Sequence, residues 1–289
     1  MLFLACASVS VLTTVGIVGV LVFEAIQFFR EVSVFEFLGG TEWRPLFVPK
    51  EYGVLPLVVG TLHIVVGSGL IAIPVGLASA IYLSEYASPK ARGIIKPVLE
   101  VLAGIPTVVY GYFALTGITP FLQRLVGTDA AGDPLVSVYN SASASIVVGI
   151  MILPMVASLC DDALRAVPKS LRHAGSALGA TRFEVSTRIV VPAALSGIAA
   201  SFVLAISRAI GETMAVTLAA GGKPSITVSP FESVQTMTAF IVQAAKGDQP
   251  HGTTEYYSLY AVAVLLFSIT LVTNMIAHRV LRRFREVYE

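Results

Sequence analysis

Residues 161–192 read DDALRAVPKSLRHAGSALGATRFEVSTRIVVP, a basic segment between two long apolar runs. Pro168 divides the segment into two stretches that can both form helices. The second stretch, 171–178, is followed by Gly179, a residue type that commonly ends helices. The segment is therefore predicted to carry a short helix of its own.

The predicted short helix has small side chains next to charged ones. It presents Ala174, Ala177 and Leu178 beside Arg172 and His173. A short helix with a small-residue face is suited to docking in a groove on another protein. The segment therefore indicates an interaction site rather than a plain connection.

The sequence around this segment has the composition of a membrane protein. The chain of 289 residues is 55% hydrophobic and 13% charged, whereas soluble domains carry about 25% charged residues. A bilayer core of about 30 Å requires roughly 20 apolar residues in a helix. Six runs qualify, and Arg208 and Glu212 alone interrupt the fifth: 2–23, 53–84, 101–123, 134–160, 189–222 and 256–277.

Two of the apolar runs allow an interpretation other than a transmembrane helix. The first run could be a signal peptide, but it lacks a basic leading region and a small-residue cleavage site. A seventh apolar run, 233–245, is too short to span and fits an interfacial or re-entrant helix. The chain is therefore predicted to be a single all-α membrane domain, 1–289, with six transmembrane helices and a cytoplasmic loop at 161–192.

The distribution of basic residues predicts the orientation. Twelve follow the second, fourth and sixth runs: Lys90, Arg92, Lys96, Arg165, Lys169, Arg172, Arg182, Arg188, Arg279, Arg282, Arg283 and Arg285. Six lie on the other side: Arg30, Arg44, Lys50, Arg124, Lys223 and Lys246. Because basic residues favour the cytoplasmic side, both termini and the 161–192 loop are expected in the cytoplasm.

Other residues give more local expectations. Trp43 and the pair Tyr256–Tyr257 are expected at the outer membrane interface, where aromatic side chains commonly anchor. Interruptions at Pro74, Pro154 and the Gly104–Pro106 segment could be plain kinks or part of a pathway.

The fifth run also carries a stripe of small residues. Gly197, Ser201, Ala205 and Ala209 are spaced four apart, which predicts a close helix-packing face. The two cysteines, Cys6 and Cys160, lie in apolar runs, so neither a disulfide framework nor a metal site is indicated.

Arg208 and Glu212 are candidate pathway residues. A charge at the centre of a bilayer costs about 2.5–3.5 kcal/mol on insertion scales, so such residues are usually functional. Four residues apart on one helix face, they could neutralise each other as a structural pair. Alternatively, Arg208 binds an anion, since guanidinium fits an oxyanion bidentately. Glu212 would then accept a hydrogen bond from a protonated oxyanion, which would favour hydrogenphosphate over sulfate.

The 161–192 loop resembles the EAA loop of binding-protein-dependent ABC importer permeases. That pattern is Glu-Ala-Ala, three residues, Gly, nine residues, then Ile-x-Leu-Pro. Here His173-Ala174-Gly175 stands three residues before Gly179, and nine further residues lead to Ile189-Val190-Val191-Pro192. The spacing is complete, although His173, Gly175 and Val191 replace the usual Glu, Ala and Leu.

Further motifs resemble the PstC-type permeases of the phosphate-specific ABC importer over nearly the whole chain. They are FFREV at 28–32, GTEW at 40–43, YLSEY at 82–86, AGIPTVVYG at 103–111 and RAIGETMA at 208–215. The resemblance implies the type I importer (MetI-like) permease fold and alternating access. It also implies that Arg208 and Glu212 lie on the substrate pathway. The residues that it implies for coupling to an ATPase are Arg172, His173, Ala174, Gly175, Gly179, Ala180, Thr181 and Arg182.

Besides the lipid bilayer, the resemblance implies these partners: a second, PstA-like permease, two PstB-like ATPase subunits and an extracytoplasmic PstS-like phosphate-binding protein. ATP and Mg²⁺ are expected on the ATPase, because this sequence has no G-x-x-x-x-G-K-[ST] phosphate loop. No nucleic acid partner, catalytic residue or cofactor of the chain's own is expected.

Other functions stay open. A sulfate, molybdate or phosphonate permease would use Arg208 equally well. A membrane enzyme lacks support from any H-E-x-x-H or G-x-S-x-G motif, and a passive channel or secondary transporter would leave the EAA-like loop unexplained.

Overall fold

The computed structural model describes residues 2–129, 131–247 and 249–283. Arg285, one of the twelve basic residues used above, lies outside them. The first elements are α1 (Leu2–Glu31), α2 (Val34–Gly39), β1 (Trp43–Arg44), β2 (Glu51–Tyr52) and α3 (Leu55–Ile81), which ends in a wide π-helical turn, Tyr82–Tyr86. Next come α4 (Pro89–Ala103), α5 (Thr107–Phe113), a π-helical turn at Ala114–Ile118, α6 (Thr119–Val126) and α7 (Ser141–Ala166).

The second half of the chain is also helical. Its elements are α8 (Lys169–Ala177), α9 (Arg182–Val185), a π-helical turn at Ser186–Val190, α10 (Val191–Ala193), α11 (Leu195–Ile210), α12 (Met214–Ala219), α13 (Met237–Lys246) and α14 (Thr254–Arg283). The all-α prediction is confirmed, and β1 and β2 form one short antiparallel hairpin. The assignment of all 289 residues to one domain stays a prediction.

Among the described residues, four helices are long and apolar enough to cross a membrane: Cys6–Glu31, Leu55–Tyr86, Ser141–Ala166 and Thr254–Ala277. Two bent pairs bring the number to six if each pair is one span. Four of the six predicted runs therefore correspond to single membrane-length helices, and the third and fifth runs correspond to bent helix pairs. The weak run at 233–245 corresponds to α13, whose 10 residues extend about 15 Å and do not span.

The third span differs from its prediction at its start. Residues 101–103 belong to α4, and the chain then bends by 89° before α5. Pro106 removes a backbone donor and favours an extended residue before it, which ends the helix. Tyr110 fixes the bend, since its hydroxyl donates to the Leu102 carbonyl across the break at 2.8 Å. By contrast, Pro74 and Pro154 lie inside continuous helices.

The centre of the fold is the pair α3 and α7. The two helices approach closely at glycines, because a Cβ atom on Gly76 would lie 2.7 Å from Val156 Cγ1. The small-residue stripe of α11 packs on α7 in the same way. Ser201, Ala205 and Ala209 are buried, and a Cβ on Gly197 would lie 2.6 Å from the Ala163 Cβ. The predicted packing face is therefore confirmed.

One end of the bundle, the hairpin end, consists of residues 28–57, 221–247 and 249–255. Its core is a cluster of buried rings from Phe28, Phe37, Trp43, Tyr52 and Phe240. Trp43 is 3% exposed and meets Phe240 edge-on with ring centroids 4.8 Å apart. The prediction that Trp43 anchors at the membrane interface is therefore wrong, because the hairpin folds its ring into this cluster.

Candidate functional site

The opposite end of the bundle, the charged end, consists of residues 82–103 and 161–190. Arg172 on α8 holds it together. Its guanidinium donates to Glu85 Oε1 at 2.9 Å, to the Val167 carbonyl at 2.6 Å and to the Leu164 carbonyl at 2.8 Å. Because Glu85 lies in the π-helical turn after α3, Arg172 joins the loop to the ends of both α3 and α7.

The predicted short helix is confirmed as α8, and it ends as its sequence requires. Gly179 has φ of +85°, a conformation that glycine adopts without steric cost. The amide of Gly179 donates to the Ser176 carbonyl and that of Ala180 to the Gly175 carbonyl, which is the Schellman arrangement. Thr181 then begins α9 with a capping box, whose other member is Glu184.

Gly175 explains one departure from the EAA pattern. It is buried against α9 and the π-helical turn beyond it. A Cβ atom at this position would lie 2.5 Å from Ile189 Cδ1 and 3.2 Å from Val185 Cγ2. Glycine therefore lets α8 pack more closely on the following segment than alanine would.

The other predicted coupling residues form an exposed surface. His173, Ala174 and Arg182 are exposed, as are Gly179 and Thr181, while Ala180 is half-buried. Two large apolar side chains accompany them: Leu178 is 89% exposed and Phe183 is 68% exposed. Apolar side chains presented together on a charged loop are typical of a contact surface for another protein.

The sequence predicts that Arg208 and Glu212 lie on one helix face. This prediction is wrong, because the two residues do not lie in one continuous helix. Their four-residue spacing places them together only in a continuous helix, and α11 ends at Ile210. Glu212 is buried in the break before α12, where its Oε1 accepts a hydrogen bond from the Ala215 amide at 3.3 Å. Arg208 forms no ion pair among the described residues.

Arg208 instead lines a cavity of about 300 Å³ between α4, α7 and α11. The lining combines apolar side chains with a few polar groups: Leu83, Lys96, Leu99, Glu100, Ala103, Met151, Pro154, Met155, Ser158, Leu159, Asp161 and Arg208. Glu212 is not among these described lining residues. A guanidinium that faces a cavity and lacks a carboxylate partner can bind a passing anion.

Four charged residues of this region were missed by the sequence reasoning as site residues. Asp161 on α7 accepts from Arg92 Nη2 at 2.5 Å, and Lys96 donates to Asp162 at 3.2 Å. One signal pointed to them: Arg92 and Lys96 are four residues apart, which places them on one face of α4. Their partners on α7 could not be identified without the packing of the two helices.

A second cavity, of about 890 Å³, opens at the charged end. Basic side chains dominate its polar lining: Arg92, Lys96, Arg165, Lys169, Arg172 and His173. It shares Leu83, Lys96 and Glu100 with the Arg208 cavity. The two cavities therefore adjoin, and together they reach from Arg208 to the charged end.

Four membrane-length helices, two bent apolar helix pairs and a cavity lined by Arg208 are the features expected of a membrane transport protein of the permease class. Comparison with known proteins gives the family. The model for "Binding-protein-dependent transport system inner membrane component" matches residues 72–286. The chain belongs to this family.

Curated relatives extend the match to most of the chain. "Probable ABC transporter permease protein YqgH" of Bacillus subtilis is 34% identical over 268 residues, which cover 92% of this chain and 84% of that protein. "Phosphate transport system permease protein PstC" of Mesorhizobium japonicum is 33% identical over 292 residues, covering 96% and 87%. The similarity to PstC-type permeases is therefore confirmed.

Solved structures show the same fold at low sequence identity. A chain of a bacterial ABC transporter that imports the acidic polysaccharide alginate has a TM-score of 0.61 at 15% identity, covering 90% of this chain and 88% of that one. A chain of the MetNI methionine ABC transporter, in an inward-facing conformation, has a TM-score of 0.58 at 18% identity, covering 81% and 95%. The predicted type I importer permease fold is confirmed.

Proposed function

We propose that this chain is the PstC-type subunit of an ATP-driven importer of inorganic phosphate, and that Arg208 provides a transient anion site in its pathway. The observation that carries the proposal is the place of Arg208, an exposed guanidinium that lines the cavity of about 300 Å³ and forms no ion pair among the described residues. Its guanidinium presents a planar set of donors that fits an oxyanion bidentately. The choice of phosphate is supported by the relatives named as phosphate permeases.

The proposed partners are a PstA-like permease, two PstB-like ATPase subunits and a PstS-like binding protein. The exposed surface of α8 and α9 supports contact with an ATPase, since Leu178 and Phe183 offer apolar anchors that no described residue covers. We place His173, Ala174 and Arg182 in the same contact. ATP and Mg²⁺ would bind to the ATPase, and both termini of this chain would lie in the cytoplasm with the charged end.

The chain's own contacts support transport by alternating access. Arg172 links α8 to α3 and α7, so a displacement of α8 reaches two membrane-length helices directly. Glu212 acts in this proposal as a positioning residue, because it caps the start of α12 just after the break that follows Arg208. The anion would leave Arg208 through the adjoining cavity at the charged end.

The test is uptake of radiolabelled phosphate by vesicles that contain the assembled complex, its binding protein and internal ATP. Arg208→Gln should abolish uptake while ATP hydrolysis continues, because the variant removes the anion site and leaves the ATPase contact intact. Leu178→Asp should abolish both, because a charge replaces an apolar anchor. Arg124→Gln, at an exposed cation on α6, is the matched control and should transport normally.

Unchanged uptake in Arg208→Gln would overturn the pathway assignment. Competition by sulfate, molybdate and phosphonate in the same vesicles decides the substrate. The proposal is supported if unlabelled phosphate inhibits the uptake of labelled phosphate and the other three oxyanions do not. Equal uptake of sulfate or another oxyanion would instead favour a permease for that oxyanion.

A further inference from the structure

A groove on the outer face of α3 leads to the basic cavity of the charged end. The groove, of about 550 Å³, lies between the end of α3, with the π-helical turn that follows it, and Ile95 on α4. Val75 and Tyr82 line it and are 48% and 49% exposed. Leu83 lines both this groove and the cavity of about 890 Å³, so the groove and the cavity adjoin.

The groove is apolar and lies at the depth of lipid tails. Apart from Ser79 and Tyr82 its described lining is apolar, and Ser79 Oγ already donates to the Val75 carbonyl at 2.8 Å. The helix from Pro74 to Leu83 extends about 13 Å, close to the roughly 15 Å of hydrocarbon in one leaflet. Because the membrane-length helix ends at Tyr86, the groove follows the hydrocarbon and the cavity lies at the level of the headgroups.

The outer face of α4 is apolar as well. Ile94, Val98 and Val101 are 67%, 53% and 70% exposed, and their spacing of four and three residues places them on one face of the helix. Arg92 and Lys96 instead form ion pairs with α7. An apolar outer face combined with cations turned elsewhere is typical of a helix at a membrane interface.

The cavity holds cations that the protein itself does not neutralise. Three of its cations are paired with carboxylates. Arg165 and Lys169 are exposed and form no ion pair among the described residues. Of the two carboxylates in the lining, Glu85 is paired with Arg172, which leaves Glu100 alone against these two cations. The unpaired charge of the described lining is therefore positive.

We propose that the groove and the cavity form one binding site for an anionic phospholipid. Its tails lie along α3, and its headgroup phosphate contacts Arg165 and Lys169. Basic pockets next to membrane helices commonly bind anionic headgroups, and only a lipid joins that charge to an apolar tail. A phosphate ion leaving the pathway would meet the same cations, but it would gain nothing from the groove.

The experiment is native mass spectrometry of the full chain in detergent, alone and in the assembled complex. It counts bound lipids during titration with phosphatidylglycerol or with phosphatidylcholine of identical tails. Phosphatidylglycerol carries a net negative charge and phosphatidylcholine does not. The native chain should therefore bind phosphatidylglycerol about tenfold more tightly. Equal binding of the two lipids would overturn the inference.

Two pairs of variants test the two halves of the site. The double variant Arg165→Gln with Lys169→Gln should remove the preference and leave phosphatidylcholine binding unchanged. Its matched control is Lys223→Gln with Lys246→Gln, at exposed cations of the hairpin end, which should keep the native preference. An equal loss in both double variants would contradict a site at the charged end.

The groove is tested by filling it. Val75→Trp should weaken binding of both lipids, because the larger side chain takes the place of a tail. Val66→Trp is the control, since Val66 is an exposed valine of α3 outside the described lining of the groove, and lipid binding should not change. Equal effects of the two substitutions would show that the groove holds no tail.

Two further measurements exclude other occupants. Excess inorganic phosphate should displace bound phosphatidylglycerol no more than sodium chloride of equal ionic strength does. Stronger displacement by phosphate would identify a site for the free anion and overturn the inference. The assembled complex should retain the lipid as the lone chain does. Retention by the lone chain only would show that another subunit covers the groove, and the lipid site would be refuted.

Discussion

The two ends of the bundle have different cores, although the Lys50–Glu255 ion pair also joins the two segments of the hairpin end. At the hairpin end, Phe28, Phe37, Trp43 and Tyr52 meet edge-to-face with ring centroids 5.3–6.2 Å apart. At the charged end, ion pairs and hydrogen bonds to carbonyls connect the elements. Interlocked rings have one close-packed arrangement, whereas an ion pair can exchange partners. The comparison indicates a static hairpin end and a charged end that can be rearranged.

The ionisation of the hairpin end agrees with its static character. Burial, together with the nearby Glu255 carboxylate, raises the pKa of Tyr52 to about 12. The phenol therefore stays neutral throughout the physiological range.

The largest expected loss of stability follows from a substitution at the hairpin end. Trp43→Ala should lower the free energy of unfolding by about 4 kcal/mol, because it opens a cavity in the ring cluster. Unfolding in mixed micelles, followed by far-ultraviolet circular dichroism, measures the change. Trp43→Phe should cost less than about 1.5 kcal/mol, since the indole Nε1 has no partner among the described residues.

A matched control separates this cluster from aromatic residues in general. Phe35, on α2, is 90% exposed, so Phe35→Ala should change the free energy of unfolding little. An equal loss in Phe35→Ala and Trp43→Ala would contradict the static ring cluster.

The next effect is at the charged end. Arg172→Ala should lower the free energy of unfolding by about 3 kcal/mol, because Glu85 stays largely buried without its partner. Added salt should reduce the stability difference between native and variant protein, because it screens the partly exposed pair. For comparison, the loss of stability in Trp43→Ala should not depend on salt. If the loss of stability in Arg172→Ala were equally independent of salt, the distinction between the two ends would be contradicted.

The smallest effect concerns the end of α8. Gly179→Ala should lower the free energy of unfolding by about 1 kcal/mol, since alanine is strained at a φ of +85°. Gly93→Ala is the control, because Gly93 lies inside α4 and a Cβ there meets nothing within 4 Å. That change should stabilise slightly, by about 0.5–1 kcal/mol. Equal destabilisation by both would show that α8 does not depend on this turn.

Hydropathy identified the spans because burial in lipid depends on composition over about 20 residues. It could not locate the bends, since a window that averages 101–123 does not register the break at Gly104–Pro106. The tendency of aromatic residues to anchor at interfaces placed Trp43 wrongly, because a short hairpin that folds a ring inward leaves no periodic pattern in the sequence.

The candidate site could be predicted only where a residue stands out from its local sequence. Arg208 was identifiable because a charge inside an apolar run is conspicuous. Asp161 stands at the edge of its run and resembled an ordinary loop residue. Its partner Arg92 lies 69 positions away, so the pair depends on how α4 packs on α7, which local sequence does not specify.

The guanidinium of Arg172 has a mechanical consequence. Three of its contacts reach three different places: the Glu85 carboxylate, the Val167 carbonyl and the Leu164 carbonyl. A displacement of α8 would therefore be transmitted through several hydrogen bonds at once to the ends of α3 and α7. A side chain with fewer donors at this position would leave α8 free to move without displacing those two helices.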